Sequence, residues 1–214
     1  MKKYIVASAI DISTATEKEL VEVARRPNLR IGTLTELAAS KYWVVRGAVA
    51  LNPKTPLNLL QQLAADDNVY VCRAVFNNPN TPADMREHMY KLGSQEFKEC
   101  IANDPDTDPD VLAWLALDSV NVRFLVACNR HTPVQVLRDL SREPGRVSWG
   151  VASNPAAPKE LLRDLATSSD VMLRVAVAEN ENTDMDTLNM LMKDKNANVA
   201  FQARKASYRR SASV

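Results

Sequence analysis

The sequence predicts an all-α solenoid of paired short helices, built from about six to seven repeats of 25–26 residues. Three observations predict it: a short motif of the type Asn-Pro-x-Thr-Pro that recurs along the chain, an apolar segment before each copy, and a leucine pattern after it. A single repeat of this length cannot bury its own apolar face, so neighbouring repeats must stack to form a continuous core.

The motif sets the period of the repeat. Its clearest copies are 52–56 and 78–82, and the first residues of all six copies stand at positions 52, 78, 104, 129, 154 and 180. Successive copies are therefore 26, 26, 25, 25 and 26 residues apart. Spacing this regular indicates one structural unit repeated in tandem.

The first helix of each repeat is expected to follow the motif. Thr55 is a suitable N-cap residue, and Pro56 would occupy the first helical position, where its missing N–H costs nothing. Leu59, Leu60 and Leu63 then form an apolar stripe at helical spacing. One face of this helix should be buried.

The second helix is expected to precede the next motif and to be about eight residues long, as in 69–76, which ends shortly before Pro79. Its valines make a strand the rival interpretation, but the apolar positions 69, 71, 74 and 75 favour a short helix. Before the first full copy, 33–38 is a degenerate repeat, and a helix should begin near Thr16.

The combined pattern Val-Arg-x-Ala-Val-Ala-x-Asn-Pro, followed by Thr-Pro-x-x-Leu-Leu-x-x-Leu-Ala, resembles the leucine-rich repeat variant family, most closely at 45–64 and 173–191. The resemblance implies a right-handed superhelix in which α-helices alternate with short 3₁₀ helices. A member of that family binds a four-iron, four-sulfur cluster through cysteines of an N-terminal domain. This sequence has no Cys before Cys72, so no cofactor is expected.

We expect three regions: an N-terminal capping segment at 1–32, the repeat array at 33–195, and a C-terminal cap with a mobile basic tail at 196–214. No run of about 18 apolar residues predicts a membrane helix, and the N-terminal apolar stretch is too short for a persuasive signal sequence. The sequence therefore predicts a cytoplasmic protein that does not enter a membrane.

Charge and motif content argue against an enzyme or a metal protein. Lys and Arg number 27 against 26 Asp and Glu, so electrostatic recognition would need a local patch. Phosphate loops, nucleophile elbows and HExxH patterns are absent. Cys72, Cys100 and Cys128 stand 6, 4 and 1 residues before their motifs, on different faces of the repeat, and His88 and His131 lack an evident partner.

Basic residues recur near one position of the repeat. Arg46, Lys98, Arg123 and Arg174 stand six residues before a motif, and Arg73 lies one position along from this register. They could form a ladder of cations that meets phosphates or acidic side chains. Alternatively they are structural, and bond the carbonyl end of the preceding helix or nearby acidic residues such as Asp67 and Asp170.

Two tryptophans and one irregular repeat complete the candidate sites. Trp43 and Trp149 adjoin second-helix segments, where an exposed rim could anchor an interface. Met85 and Met89 replace leucines in the third repeat, which indicates either an adaptable contact surface or a tolerated lapse. The function predicted is a non-catalytic scaffold that binds another protein through one face; the alternative is a nucleic-acid binder that uses the cationic ladder.

Overall fold

The structure is a computed structural model that describes residues 11–211. Every regular element in that range is an α-helix and none is a strand, which confirms the all-α prediction. The helices are α1 (Glu17–Ala24), α2 (Ile31–Ala38), α3 (Trp43–Leu51), α4 (Leu57–Leu63), α5 (Val69–Phe76), α6 (Ala83–Leu92), α7 (Gln95–Ala102), α8 (Pro109–Leu115), α9 (Val120–Cys128), α10 (Val134–Leu140), α11 (Arg146–Ser153), α12 (Lys159–Leu165), α13 (Val171–Glu179), α14 (Met185–Leu191) and α15 (Ala197–Ser211).

The helices form two kinds of row. The chain divides into two compact units between Cys100 and Ile101. In the N-terminal unit α3 and α5, which precede motifs, pack side by side with α1. In the C-terminal unit α9, α11 and α13, which also precede motifs, form a similar row with α15. We call these the second-helix rows. The helices that follow a motif bury their leucines against them, as Leu60 and Leu162 do.

Both helices of a pair are α-helical, so the alternation with 3₁₀ helices that the family resemblance implies is not found in residues 11–211. In α5, Asn68 caps the N–H of Tyr70, and the N–H of Cys72 bonds to the carbonyl of Asn68 four residues back. Bonds of the 3₁₀ type occur at helix ends, as between the Asp66 N–H and the Leu63 carbonyl.

The expected role of Thr55 as an N-cap is wrong. Its buried hydroxyl donates instead to the carbonyl of Val49, 2.5 Å away, and Pro56 is the N-cap of α4. The carbonyl at the end of a buried helix needs a donor, and the threonine hydroxyl supplies it. The same bond recurs at Thr81, Thr107, Thr132 and Thr183.

The asparagine that begins each motif joins one repeat to the repeat before it. The Asn78 side-chain amide donates to the carbonyls of Ala50, at 2.5 Å, and Asn52, at 3.0 Å. Its oxygen accepts the N–H of Asn80. We call the set of such residues the asparagine ladder; its other members are Asn52, Asn129, Asn154 and Asn180. All of them are buried, so the motif is the joint between repeats.

At the motif position that lacks an asparagine, an arginine side chain donates the hydrogen bond to the preceding repeat. Asp104 stands at the motif position but carries no N–H on its side chain. Arg86 of α6 donates to the carbonyls of Asn78, at 3.4 Å, and Thr81, at 2.8 Å. After the last rung, Arg210 of α15 donates to the carbonyl of Asn180, at 2.9 Å. A long cationic side chain thus bonds the carbonyl of the preceding motif residue, one of the two acceptors that an asparagine bonds elsewhere.

Both ends of the described range contain a helix that packs on the array. Thr16 forms a reciprocal capping box with Glu19 and starts α1, as expected. At the C-terminus α15 continues to Ser211 and buries Val199. The mobile basic tail expected within 196–214 stays a prediction. The bonds of Arg210 hold the last turn of α15 on the preceding repeat. Residues 1–10 and 212–214 lie outside the described residues, and the predicted region boundaries stay predictions.

Candidate binding surfaces

Ion pairs within the chain engage Arg46, Arg123 and Arg174 among the predicted cations. Arg46 on α3 forms a two-point ion pair with Asp66, at 2.5 and 2.8 Å, and donates to the carbonyl of Ser40 at 2.9 Å. Arg174 on α13 repeats the arrangement with Asp194, at 2.7 and 3.0 Å, and is itself buried. Arg123 pairs with a glutamate, as described next. The structural alternative therefore accounts for these three residues.

The acidic partners differ from those expected. Each acidic residue lies 20 positions after its arginine, just beyond the helix that follows the motif. Glu143, for example, accepts a hydrogen bond from Arg123 at 2.9 Å. Asp67 is exposed, and Asp170 instead caps α13 by accepting the N–H of Met172. The predicted bond to a preceding carbonyl does form, from Arg123 to Asp118. The guanidinium of Arg46 lowers the pKa of Asp66, mainly by hydrogen bonding.

The sequence shows the same pairing in a 20-residue register. A basic residue is followed 20 positions later by an acidic one at 46 and 66, 98 and 118, 123 and 143, and 174 and 194. At the other two positions both charges are missing together: Cys72 is paired with Leu92, and Ser148 with Ser168. This joint loss is the signal by which the pairs could have been found. Lys98 itself lies half-buried on α7.

Exposed aromatic side chains lie on the second-helix row of the N-terminal unit. Trp43 and Tyr70 come from α3 and α5, their rings 5.5 Å apart, and Trp43 is 43% exposed. The guanidinium of Arg73 lies 5.8 Å from the Tyr70 ring. With Val44 and Leu51 these residues line a groove of about 320 Å³. The predicted exposed position of Trp43 is found here.

A second aromatic pair lies on the second-helix row of the C-terminal unit. Trp149 of α11 stacks on Phe124 of α9, with ring centroids 6.1 Å apart and ring planes at 3° to each other. The guanidinium of Arg146 lies over the Phe124 ring, 4.1 Å from its centroid. Gly150 permits this packing, because a Cβ there would lie 3.1 Å from Ala127. Trp149 remains 41% exposed. The pair forms a flat, half-exposed aromatic surface.

A cavity of about 540 Å³ opens between α4, α5 and α6 in the irregular repeat. The Cys72 thiol lines it and donates to the carbonyls of Ala64, at 3.4 Å, and Asp66, at 3.2 Å. Burial raises the pKa of this thiol, and the charge of Asp66 raises it further. Met85 and Met89 contribute apolar wall, so the methionines of this repeat border open space.

The remaining candidates do not come together as a centre. Cys72 and Cys100 are half-buried and Cys128 is exposed, all as free thiols. His88 is exposed at the edge of the cavity, whereas His131 lies in the motif turn. Among residues 11–211 no three His, Cys, Asp or Glu side chains are grouped as metal ligands. In the same range no helix has the length and apolar character needed to cross a membrane.

Comparison with known proteins identifies the fold. A solved structure described as a leucine-rich repeat variant with a novel repetitive protein structural motif is similar over 88% of this chain and 81% of its own, with 22% sequence identity and a TM-score of 0.58. The fold resemblance predicted from the repeat motif is therefore confirmed. No family model and no curated protein matches the sequence.

Proposed function

We propose that this protein is a non-catalytic repeat scaffold that binds another protein through its second-helix rows. The observation that carries the proposal is the pair of half-exposed aromatic surfaces, Trp43 with Tyr70 and Phe124 with Trp149. Aromatic residues dominate the energetics of protein interfaces, because they bury a large area at little cost in side-chain entropy. Each surface is held in place by packing between neighbouring helices.

The alternative, a nucleic-acid-binding ladder, has less support. Arg46, Arg123 and Arg174 already donate to carboxylates and carbonyls of the chain. Phosphate contacts would have to compete with these hydrogen bonds, which are bidentate at Arg46 and Arg174. The net formal charge of +1 adds no general attraction for a polyanion.

We also propose that the protein is located in the cytoplasm, a reducing compartment that suits its three free thiols.

A matched pair of variants tests the proposal. Trp43→Ala/Trp149→Ala removes one aromatic residue from each surface. Leu57→Ala/Met190→Ala, its control, removes side chains that are each 43% exposed but lie on first helices. Both proteins and the unmodified chain are used to capture partners from nuclease-treated lysate of the source cells, and the retained proteins are quantified by mass spectrometry.

The proposal predicts a set of proteins retained by the unmodified chain and the control but lost with the tryptophan variant. Circular dichroism confirms first that both variants are folded. The proposal is wrong if both variants retain the same proteins, or if capture depends on nucleic acid and disappears after nuclease treatment.

A further inference from the structure

The cavity in the irregular repeat occupies the place of a missing ion pair. In the repeat before it, Arg46 and Asp66 fill this position and hold each other at 2.5 Å. One repeat later the corresponding residues are Cys72 and Leu92, both of which line the cavity. A thiol is much shorter than an arginine side chain and leaves its volume empty. The cavity therefore has the position of an absent guanidinium.

The second repeat without the pair is different. Ser148 and Ser168 stand at the equivalent positions, but Ser148 is only 3% exposed and its hydroxyl donates to the carbonyl of Gly145 at 3.0 Å. Loss of the pair alone therefore does not create an accessible site there. The opening at Cys72 is a particular feature of the repeat that contains α6.

The polar atoms of the cavity suit a cation. The carbonyls of Ala64 and Asp66 at the end of α4 receive hydrogen bonds from the thiol of Cys72, a weak donor. In the neighbouring repeat, the Ser40 carbonyl accepts a guanidinium N–H from Arg46 at 2.9 Å. Carbonyl groups at a helix C-terminus carry partial negative charge. No Lys or Arg lines the cavity, and the carboxylate of Asp66, another lining residue, is already paired with Arg46.

The apolar walls suit the stem of a long side chain. Met89 and Phe97 are buried and line the cavity, and Met85 is half-buried beside them. Methionine adapts to an inserted group because its side chain is flexible. A phenylalanine ring also attracts a nearby cation. The combination of three methylene groups and a planar cation is found in arginine.

We propose that this cavity binds an arginine side chain of a partner protein, whose guanidinium takes the place that Arg46 and Arg174 occupy in their own repeats. The existence of a protein partner rests on the proposed function. The cavity's preference for a guanidinium does not, so the two can fail separately.

The preference is tested with a small probe on the full chain. N-acetyl-L-arginine methylamide, which mimics an arginine residue within a peptide, is titrated while the backbone amide signals of Cys72, Met89 and Gly93 are followed by NMR. The uncharged citrulline analogue is the matched control. We expect saturable shifts at these amides with the arginine probe and at least about tenfold weaker binding of the citrulline probe, since charged hydrogen bonds are lost.

Two variants at the cavity mouth give results of opposite sign. Leu92 is 73% exposed, so the fold should tolerate its replacement. Leu92→Asp restores the acid of the neighbouring repeats and should tighten binding of the arginine probe about three- to fivefold, whereas Leu92→Lys should weaken it by a similar factor, as expected for a partly exposed ion pair. Equal binding of arginine and citrulline probes, or no difference between the two variants, would overturn the proposal.

Free L-arginine distinguishes the source of the guanidinium. If it binds as tightly as the blocked probe, the site takes a free amino acid and the assignment to a partner protein is wrong. If it binds more weakly, as expected from its additional charges, the peptide-borne side chain is supported. A failed partner capture with positive probe binding would reject the proposed scaffold function but leave the guanidinium site standing.

Discussion

Asn78 donates a hydrogen bond to the backbone carbonyl of Asn52, its own equivalent in the preceding repeat, at 3.0 Å. The same relation links Asn154 to Asn129 and Asn180 to Asn154. Each such asparagine therefore acts as a donor to the repeat before it. The stability of the array should depend on these side chains more than on any single leucine contact at the surface.

Replacement of Asn78 by alanine should destabilise the fold by about 2–4 kcal/mol, because the buried carbonyl of Ala50 loses its side-chain donor and the carbonyl of Asn52 keeps only the N–H of Thr55. Chemical denaturation followed by circular dichroism measures the change in the free energy of unfolding. Asn58→Ala, at an exposed position of α4, is the control and should change it by less than about 0.5 kcal/mol. Equal effects of the two substitutions would contradict a structural role for the ladder.

The buried ion pair of Arg174 should be sensitive to geometry as well as charge. Arg174→Ala leaves the Asp194 carboxylate without its partner and should cost about 2–4 kcal/mol. Arg174→Lys keeps the charge but loses the two-point contact, so it should still destabilise the fold. Arg142→Ala breaks an exposed pair with Asp139 and should cost less than about 1 kcal/mol. Thermal unfolding of the three variants compares them directly.

The acid stability of the protein should depend on Asp184. Hydrogen bonding from Thr187, with Arg163 close by, lowers the pKa of this carboxyl from 3.8 to about 2. Its charge therefore stabilises the folded state above pH 4, and this contribution is lost as the pH falls toward 2. Asp184→Asn, which retains a capping side chain, should be less stable than the unmodified chain at pH 7 and closer to it at pH 2.

Denaturant titrations at both pH values measure this difference. A gap in unfolding free energy that is unchanged between pH 7 and pH 2 would show that the charge of Asp184 does not contribute as described.

Two glycines should respond in opposite directions to substitution by alanine. A Cβ at Gly93 would lie 2.3 Å from the carbonyl oxygen of Met89 and 2.6 Å from the Phe97 ring, so Gly93→Ala should destabilise by about 1–3 kcal/mol. At Gly32, within α2, a Cβ would meet nothing within 4 Å, and Gly32→Ala should stabilise by about 0.5–1 kcal/mol. Melting temperatures distinguish the two; a shift of the same sign for both would contradict this packing.

The repeat and its helices could be predicted from sequence because motif spacing and leucine periodicity are visible without coordinates. The role of Thr55 could not, since residue types do not reveal which buried carbonyl lacks a donor. The pairing of Arg46 with Asp66 could have been found, because the 20-residue register is present in the sequence. The bond from Arg210 at the end of α15 to the carbonyl of Asn180 could not be predicted, because it joins residues 30 positions apart.

The candidate surfaces divide in the same way. The sequence predicted Trp43 and Trp149 as exposed second-helix residues, but not their aromatic neighbours Tyr70 and Phe124, because the partners lie in adjacent repeats. The cavity beside Cys72 depends on the absence of a long side chain. Such a void becomes visible only when the repeats are stacked.

Protein binding through the second-helix rows can be tested by site-specific photo-cross-linking in living cells. Benzoylphenylalanine is introduced in place of Trp43 and, in a separate protein, in place of Leu57, which is equally exposed on a first helix. We expect a discrete cross-linked protein at position 43 and none at position 57. Cross-linking at position 57 alone, or to nucleic acid instead of protein at position 43, would contradict it.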